Sequence, residues 1–224
     1  MNPMNVEQAR FNMVEQQIRP WEVLDAAVLD LLYVVRREEF VPAAYRELAF
    51  SDMEIPLSAN AGPGERMLQP KIEARILQEL AVHKSDKVLE VGTGSGYLTA
   101  LLAHRARAVV SVEINPAIKQ VGEKNLASQG FDNITLELGD AAKGWAKGAP
   151  YDVIVLTGST PVLPQSLLDQ LQPDGRLFAI VGDAPVMQAR LVTRTAPGVF
   201  QTTGLFETCI APLTNAAQPA RFAF

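Results

Sequence analysis

Apolar residues early in the chain recur at spacings of three and four: Val14 and Ile18, then Val23, Leu24, Ala27, Val28, Leu31 and Leu32. This period predicts two helices between Asn5 and about Arg37, with Arg19-Pro20 breaking the run. From Phe40 to Pro70 the period is lost. Pro42, Pro56, Gly62, Pro63, Gly64 and Pro70 mark a long loop region of the kind that carries function. A helix over about Lys71–Val82 follows, with Ile72, Ile76, Leu77 and Leu80 on one face. The pattern then alternates. Apolar runs at Lys87–Val91, Ala108–Val112, Ile134–Leu138, Tyr151–Thr157 and Arg176–Val181 read as strands, and Tyr97–Arg105, Pro116–Gln129 and Pro164–Leu171 as helices between them. Gln188–Thr195 and Val199–Ala211 look like strands with no intervening helix, so they are expected to pair antiparallel at an edge. Such alternation predicts an α/β fold built on a doubly wound, mostly parallel sheet.

The stretch Glu90-Val-Gly-Thr-Gly-Ser-Gly96 joins the first of these strands to its helix. Glycines there let the chain turn sharply and let a ligand approach the backbone, while the free N–H groups of a helix start favour an anionic or strongly polar ligand. A dinucleotide fingerprint would place its third glycine at position 97, which is Tyr97; the glycine falls one residue earlier, at Gly96. Glu113 lies at the end of the next strand, where an acid accepts hydrogen bonds from both ribose hydroxyls and disfavours a 2′-phosphate. Gly139-Asp140 closes the third strand and would sit beside a base ring. Each feature alone has a structural explanation, as a turn, a surface acid or a cap. Their joint position at the carboxyl ends of successive parallel strands points to a ligand with a free ribose and a small polar end, and away from an NAD(P) oxidoreductase.

Composition narrows the chemistry. Of the 224 residues, 48 % are hydrophobic and 20 % charged, which suits a globular chain, not a disordered one. No apolar run reaches the ~18 residues that span a bilayer, and Met1–Arg10 lacks the apolar core of a signal peptide, so a cytoplasmic protein without membrane partners is expected. The net charge of −5 and the absence of basic runs weigh against nucleic-acid partners. One cysteine, Cys209, excludes an internal disulfide, and two histidines, His83 and His104, supply metal sites and Ser-His-Asp triads poorly. Neither a metal nor a histidine base is expected. Cys209 is expected as a small core residue within the last strand, Trp145 as packing, and Trp21 as an anchor for the first helices.

The glycine turn with Glu113 and Gly139-Asp140 resembles the S-adenosylmethionine (SAM) signature of class I methyltransferases. Met13-Val-Glu-Gln-Gln17, Phe40-Val-Pro42, Gly139-Asp-Ala-Ala-Lys-Gly-Trp145, Ala149-Pro-Tyr-Asp152 and Leu163-Pro-Gln-Ser-Leu-Leu-Asp-Gln-Leu171 extend the likeness to about Gly182 and resemble the protein-L-isoaspartate O-methyltransferase family. That resemblance implies a Rossmann-like, seven-stranded sheet with the last two strands exchanged relative to most class I enzymes, and an antiparallel C-terminal edge behind an N-terminal helical extension. It divides the chain into helices and substrate loop (1–82), a SAM-binding core (83–213) and a tail (214–224), the tail being either a docking strip or a frayed end. It implies SAM as cofactor, held by Glu90, Gly92, Thr93, Gly94, Ser95, Gly96, Glu113, Ile114, Gly139, Asp140, Ala141 and Thr157, and a protein or peptide substrate with isoaspartyl residues.

Departures fall on the acceptor side. The family's loop reads Gly-Gln-Thr-Ile-Ser-x-Pro; here it is Gly64-Glu-Arg-Met-Leu-Gln-Pro70, so Leu68 stands at the serine and Arg66 at the threonine. The stretch between Pro56 and Gly64 is longer than the family pattern, Ala141 replaces a glycine, and Ser159 and Thr160 follow Thr157 where alanines are common. Leu68, Arg66 and Thr157 are the candidate catalytic positions. Arg66 is either a bidentate partner for the acceptor carboxylate or a solvated loop charge. Three expectations follow: methyl esterification of damaged aspartyl residues, methylation of another acceptor such as a small molecule or RNA, or SAM binding with weak catalysis.

Overall fold

The computed structural model describes residues 3–219; the final Arg-Phe-Ala-Phe of the expected tail lies outside the described residues. Helix α1 (Pro3–Asn12) runs straight into a π-helical turn, Met13–Ile18, and a 3₁₀ turn, Arg19–Trp21, so Pro20 closes the first helix without splitting it. Met13, Val14 and Ile18 are buried there. Helix α2 (Ala26–Val34) starts at Asp25, whose carboxylate accepts from the Ala27 N–H at 2.8 Å and the Val28 N–H at 3.4 Å and so satisfies two free donors.

The aperiodic region is ordered by two 3₁₀ turns, Arg37–Glu39 and Ala43–Leu48, and by a small antiparallel pair, β1 (Ile55–Pro56) with β2 (Arg66–Met67). Helix α3 (Pro70–Leu80) begins with proline at its first position, where the missing N–H costs nothing. Then come β3 (Lys87–Val91), α4 (Tyr97–Arg105), β4 (Ala108–Glu113), α5 (Pro116–Ala127), β5 (Ile134–Leu138), β6 (Tyr151–Leu156), α6 (Gln165–Leu168), β7 (Leu171–Asp183), β8 (Val186–Ala196) and β9 (Val199–Thr208).

These last seven strands form one sheet in the order β5-β4-β3-β6-β7-β8-β9. Its first five members are parallel, and β8 runs antiparallel to both neighbours, so the last strands follow chain order as a meander at the edge. The strand order reverses between β3 and β6, which opens a crevice at their carboxyl ends. Val88, Val153, Val155, Phe178 and Ile180 pack with α3, α4, α5 and the N-terminal helices on one side of the sheet. Leu89, Ile154, Leu156, Leu177 and Ala179 pack with Leu167 of α6 on the other. Alternation along each strand produces this division.

Two expectations are corrected. The helix expected over Pro164–Leu171 is a single turn, because the Tyr151 N–H donates to Gln170 O at 2.8 Å and Leu171 pairs with Tyr151, drawing the chain into β7. Cys209 is exposed and follows the end of β9, an edge strand with one open flank. Trp21 does anchor: it packs edge-on against Phe206 with centroids 6.4 Å apart, under the Lys71 ammonium at 3.9 Å.

Candidate active site

A cleft of about 500 Å³ opens at the carboxyl ends of β3, β4, β5 and β6, a size suited to a nucleoside-containing ligand. Its floor is the glycine turn. Gly92, Gly94 and Gly96 have φ of 98°, 57° and 84°, conformations that side-chain-bearing residues rarely adopt. A Cβ on Gly92 would overlap the Thr157 hydroxyl, which lies 2.9 Å from Val91 O and 3.0 Å from Gly92 O and ties β6 to the turn. Thr157 is therefore occupied with holding the backbone.

Glu90 is fully buried on the same wall. Its Oε2 accepts from Thr99 Oγ1 at 2.5 Å and Ser111 Oγ at 2.6 Å, and the Thr93 hydroxyl lies 2.7 Å behind Ser111. Oε1 has no partner among the described residues. Burial pushes the carboxyl up to about 8 despite the two hydroxyl donors. A buried carboxylate with one unpaired oxygen in a cleft wall is built to meet a cation or a strong donor.

Glu113, the last residue of β4, accepts from the Gly94 N–H at 3.1 Å and the Asn115 N–H at 3.0 Å, so it faces the turn across the crevice. Asp140 accepts from the Ala142 N–H at 3.0 Å through Oδ1 and from Asn215 Nδ2 at 2.9 Å through Oδ2. Gly139 must lack a side chain because the Trp145 ring lies 2.6 Å from where its Cβ would be, which gives the packing role of Trp145 a consequence for the cleft. Ile114 offers a partly exposed apolar face beside Glu113.

Of the positions singled out in the sequence, Arg66, Leu68, Glu90, Gly92, Thr93, Gly94, Ser95, Glu113, Ile114, Gly139, Asp140, Ala141 and Thr157 line this one cleft. Gly96 does not. A Cβ there would meet Leu126 at 2.9 Å and Gly122 O at 3.3 Å, so its role is close packing of α4 on α5. Arg66 is exposed, and Leu68 is buried with its carbonyl accepting from Arg37 Nη2 at 2.6 Å.

The other walls were not read from the sequence. Asn115 Nδ2 donates to Glu65 Oε1 at 2.7 Å, and Glu65 Oε2 accepts from the Gly62 N–H at 3.0 Å, which fastens the long β1–β2 turn to the tip of β4. Residues 210–214 form the opposite wall, clamped by Ser159: its N–H donates to Ala211 O at 3.0 Å, its carbonyl accepts from the Leu213 N–H at 2.9 Å, and its hydroxyl donates to Ile210 O at 3.1 Å. That explains the extra hydroxyl at 159. Glu73 also lines the cleft. Its sequence signal was a charged residue in phase with Leu77 and Leu80 on the buried face of α3. Among the described residues no cluster of His, Cys, Asp and Glu is placed to hold a metal ion, and no helix is long and apolar enough to cross a membrane.

The doubly wound sheet and its crevice define a nucleoside-binding α/β fold. A family model for protein-L-isoaspartate(D-aspartate) O-methyltransferases matches residues 8–218, and the chain belongs to that family. A protein-L-isoaspartate O-methyltransferase of Methanoculleus marisnigri is 40 % identical over 205 residues, covering 91 % of this chain and 90 % of its own. Protein-L-isoaspartate O-methyltransferase 1 of Syntrophobacter fumaroxidans is 38 % identical over 199 residues, covering 89 % of this chain and 91 % of its own. The fold matches a Plasmodium falciparum structure named as a protein-L-isoaspartate O-methyltransferase in complex with S-adenosyl-L-homocysteine, with a TM-score of 0.77 at 18 % identity, covering 91 % of this chain and 97 % of that one.

Proposed function

We propose that this protein is a SAM-dependent O-methyltransferase that esterifies the free α-carboxylate of isoaspartyl residues in proteins and peptides, as a step of protein repair in the cytoplasm. The observation that carries the reading is the line Glu90, glycine turn, Glu113, Asp140 along one cleft wall, with Glu90 Oε1 unpartnered. Residues 83–213 supply this wall, and residues 1–82 the loop that faces it. The parts fit SAM: Glu90 meets the α-ammonium group, the bare turn at Gly92 and Gly94 admits the methionine end, Glu113 takes the ribose hydroxyls, and Ile114, Gly139, Asp140 and Ala141 border the adenine.

Bound SAM supplies an electrophilic methyl group for direct displacement by the acceptor oxygen. The chain's own task is alignment. An α-type carboxyl, with a pKa of ~3.5, is already ionised at neutral pH, so no general base is required. Arg66, exposed at the mouth, pairs with the acceptor carboxylate by a charge-assisted hydrogen bond. The buried Leu68 side chain presents an apolar wall that strips water from the nucleophile. Thr157 holds the turn through the Val91 and Gly92 carbonyls, while correct placement of two reactants is worth up to ~7–11 kcal/mol of barrier.

Incubation with methyl-labelled SAM and an isoaspartyl peptide is expected to yield base-labile ester that releases labelled methanol. No label above that with the matching aspartyl peptide would refute the assignment of acceptor. Leu68 in place of the family serine favours a second reading, a different acceptor on the same cofactor site; a slow wild type sharply accelerated on isoaspartyl peptide by Leu68→Ser would favour it.

A further inference from the structure

The cleft wall holds a second buried carboxylate, Glu73 on α3, which the cofactor contacts proposed above leave without a task. Behind it lies Arg37, fully buried and absent from the cleft lining. The guanidinium donates through Nη1 to Glu73 Oε2, through Nη2 to Leu68 O at 2.6 Å and through Nε to Ala49 O at 3.1 Å. It stacks 5.0 Å from the centroid of the Tyr97 ring, the residue that follows the glycine turn. Arg37 is thus bound on every side by protein. Glu73 is bound on one: Oε2 is taken, and among the described residues Oε1 has no partner, which leaves it for whatever enters the cleft. An ion pair so placed has its negative end at the cleft wall and its positive end behind.

The position of this dipole in the site is defined by its neighbours. Through Arg37, Glu73 is tied to Leu68, the residue at the acceptor loop, and Glu90 lines the same cleft, close enough for the Glu73 charge to oppose its ionisation. Two buried carboxylates lining one cleft are stabilised by a cation between them. The donor SAM carries one more positive charge than its product S-adenosylhomocysteine, and that charge sits on the sulfur between the methionine and ribose portions.

We propose that Glu73, held in place by Arg37, is a specificity-determining residue that selects the sulfonium of SAM over the neutral thioether of S-adenosylhomocysteine. The inference rests on the SAM reading of the cleft. As the methyl group passes to the acceptor oxygen, the carbon–sulfur bond breaks with its electron pair left on sulfur, and the positive charge that Glu73 holds is gone. Product is then bound less tightly than it would be in a cleft with a neutral residue at this position relative to donor, which assists turnover.

Calorimetric titration of the full-length protein tests this with three ligands: SAM, S-adenosylhomocysteine, and an analogue with an amine in place of the sulfonium methyl. A unit charge ~5 Å away at an effective dielectric of ~20 corresponds to roughly a hundredfold in affinity, which the opposing Arg37 charge reduces. Glu73→Gln is expected to weaken SAM and the amine analogue by about tenfold or more relative to S-adenosylhomocysteine. Equal weakening of all three overturns the proposal. Because Glu73→Gln strands a buried guanidinium, the joint replacement Arg37→Met with Glu73→Leu, which removes both charges, supplies a second reading. It too is expected to lower the SAM-to-S-adenosylhomocysteine preference, and an unchanged ratio overturns the proposal. A wild type that binds none of the three refutes the cofactor reading itself, a result distinct from binding with an unchanged ratio.

Discussion

Glu90 is expected to weaken the fold in order to serve the site, and Glu90→Gln separates the two effects. In the folded chain its carboxyl is pushed up to about 8 from an ordinary value of 4.5, because burial outweighs the donors Thr99 and Ser111. The folded state therefore holds a proton on Glu90 that the unfolded state has already released. Stability from this group is fully present below pH 4.5 and is lost as pH rises through 8. The loss approaches about 4–5 kcal/mol if nothing else relaxes, at ~1.4 kcal/mol for each pH unit of the window. Glu73, pushed up to about 7 by burial against the pull of Arg37, acts in the same direction and is common to both proteins. Glutamine keeps the acceptor for Thr99 and Ser111 but never ionises. Urea unfolding at pH 5 and pH 8 is expected to show wild-type stability falling by about 2 kcal/mol or more beyond the fall in Glu90→Gln. The same variant is expected to lose SAM affinity at least about tenfold, since wild-type Glu90 can release its proton to meet the proposed ammonium group and glutamine can never carry that charge. A pH dependence of stability identical in the two proteins would refute the assignment of a strained carboxyl to this wall.

Gly92→Ala is expected to cost about 1–3 kcal/mol for its φ of 98° alone, plus the overlap with Thr157, and to be partly rescued by Thr157→Ala. Strict additivity of the two in denaturant unfolding would place the conflict elsewhere. Glu113→Ala should weaken S-adenosylhomocysteine by about 1–3 kcal/mol in calorimetry, because it removes the proposed ribose acceptor and frees the Gly94 and Asn115 N–H groups. Unchanged affinity would move the ribose to another wall. Ser159→Ala removes only the hydroxyl bond to Ile210 O, worth about 1 kcal/mol, and should speed amide exchange at 210–214 while leaving the sheet protected. Uniform exchange rates across both proteins would show that the clamp does not need the hydroxyl.

What the sequence alone determined was local in its causes. Alternating runs of Val, Ile and Leu define strands, because a parallel strand buried on both faces has no other composition open to it. Glycine at 92 and 94 and acids at 90, 113 and 140 are legible because turns and strand ends carry ligands at predictable offsets. Tertiary structure alone decided the rest. Leu171 belongs to β7, not to a helix, because Tyr151 is there to pair with it. Gly96 serves α5, not the cleft, because Leu126 stands against it. Residues 210–214, Asn115 and Glu73 became part of the site only when hydrogen bonds linked segments as far apart as Ser159 and Ile210, or Arg37 and Glu73. Burial and the pairing of charges depend on which distant segments meet, and no periodicity in the chain encodes that meeting.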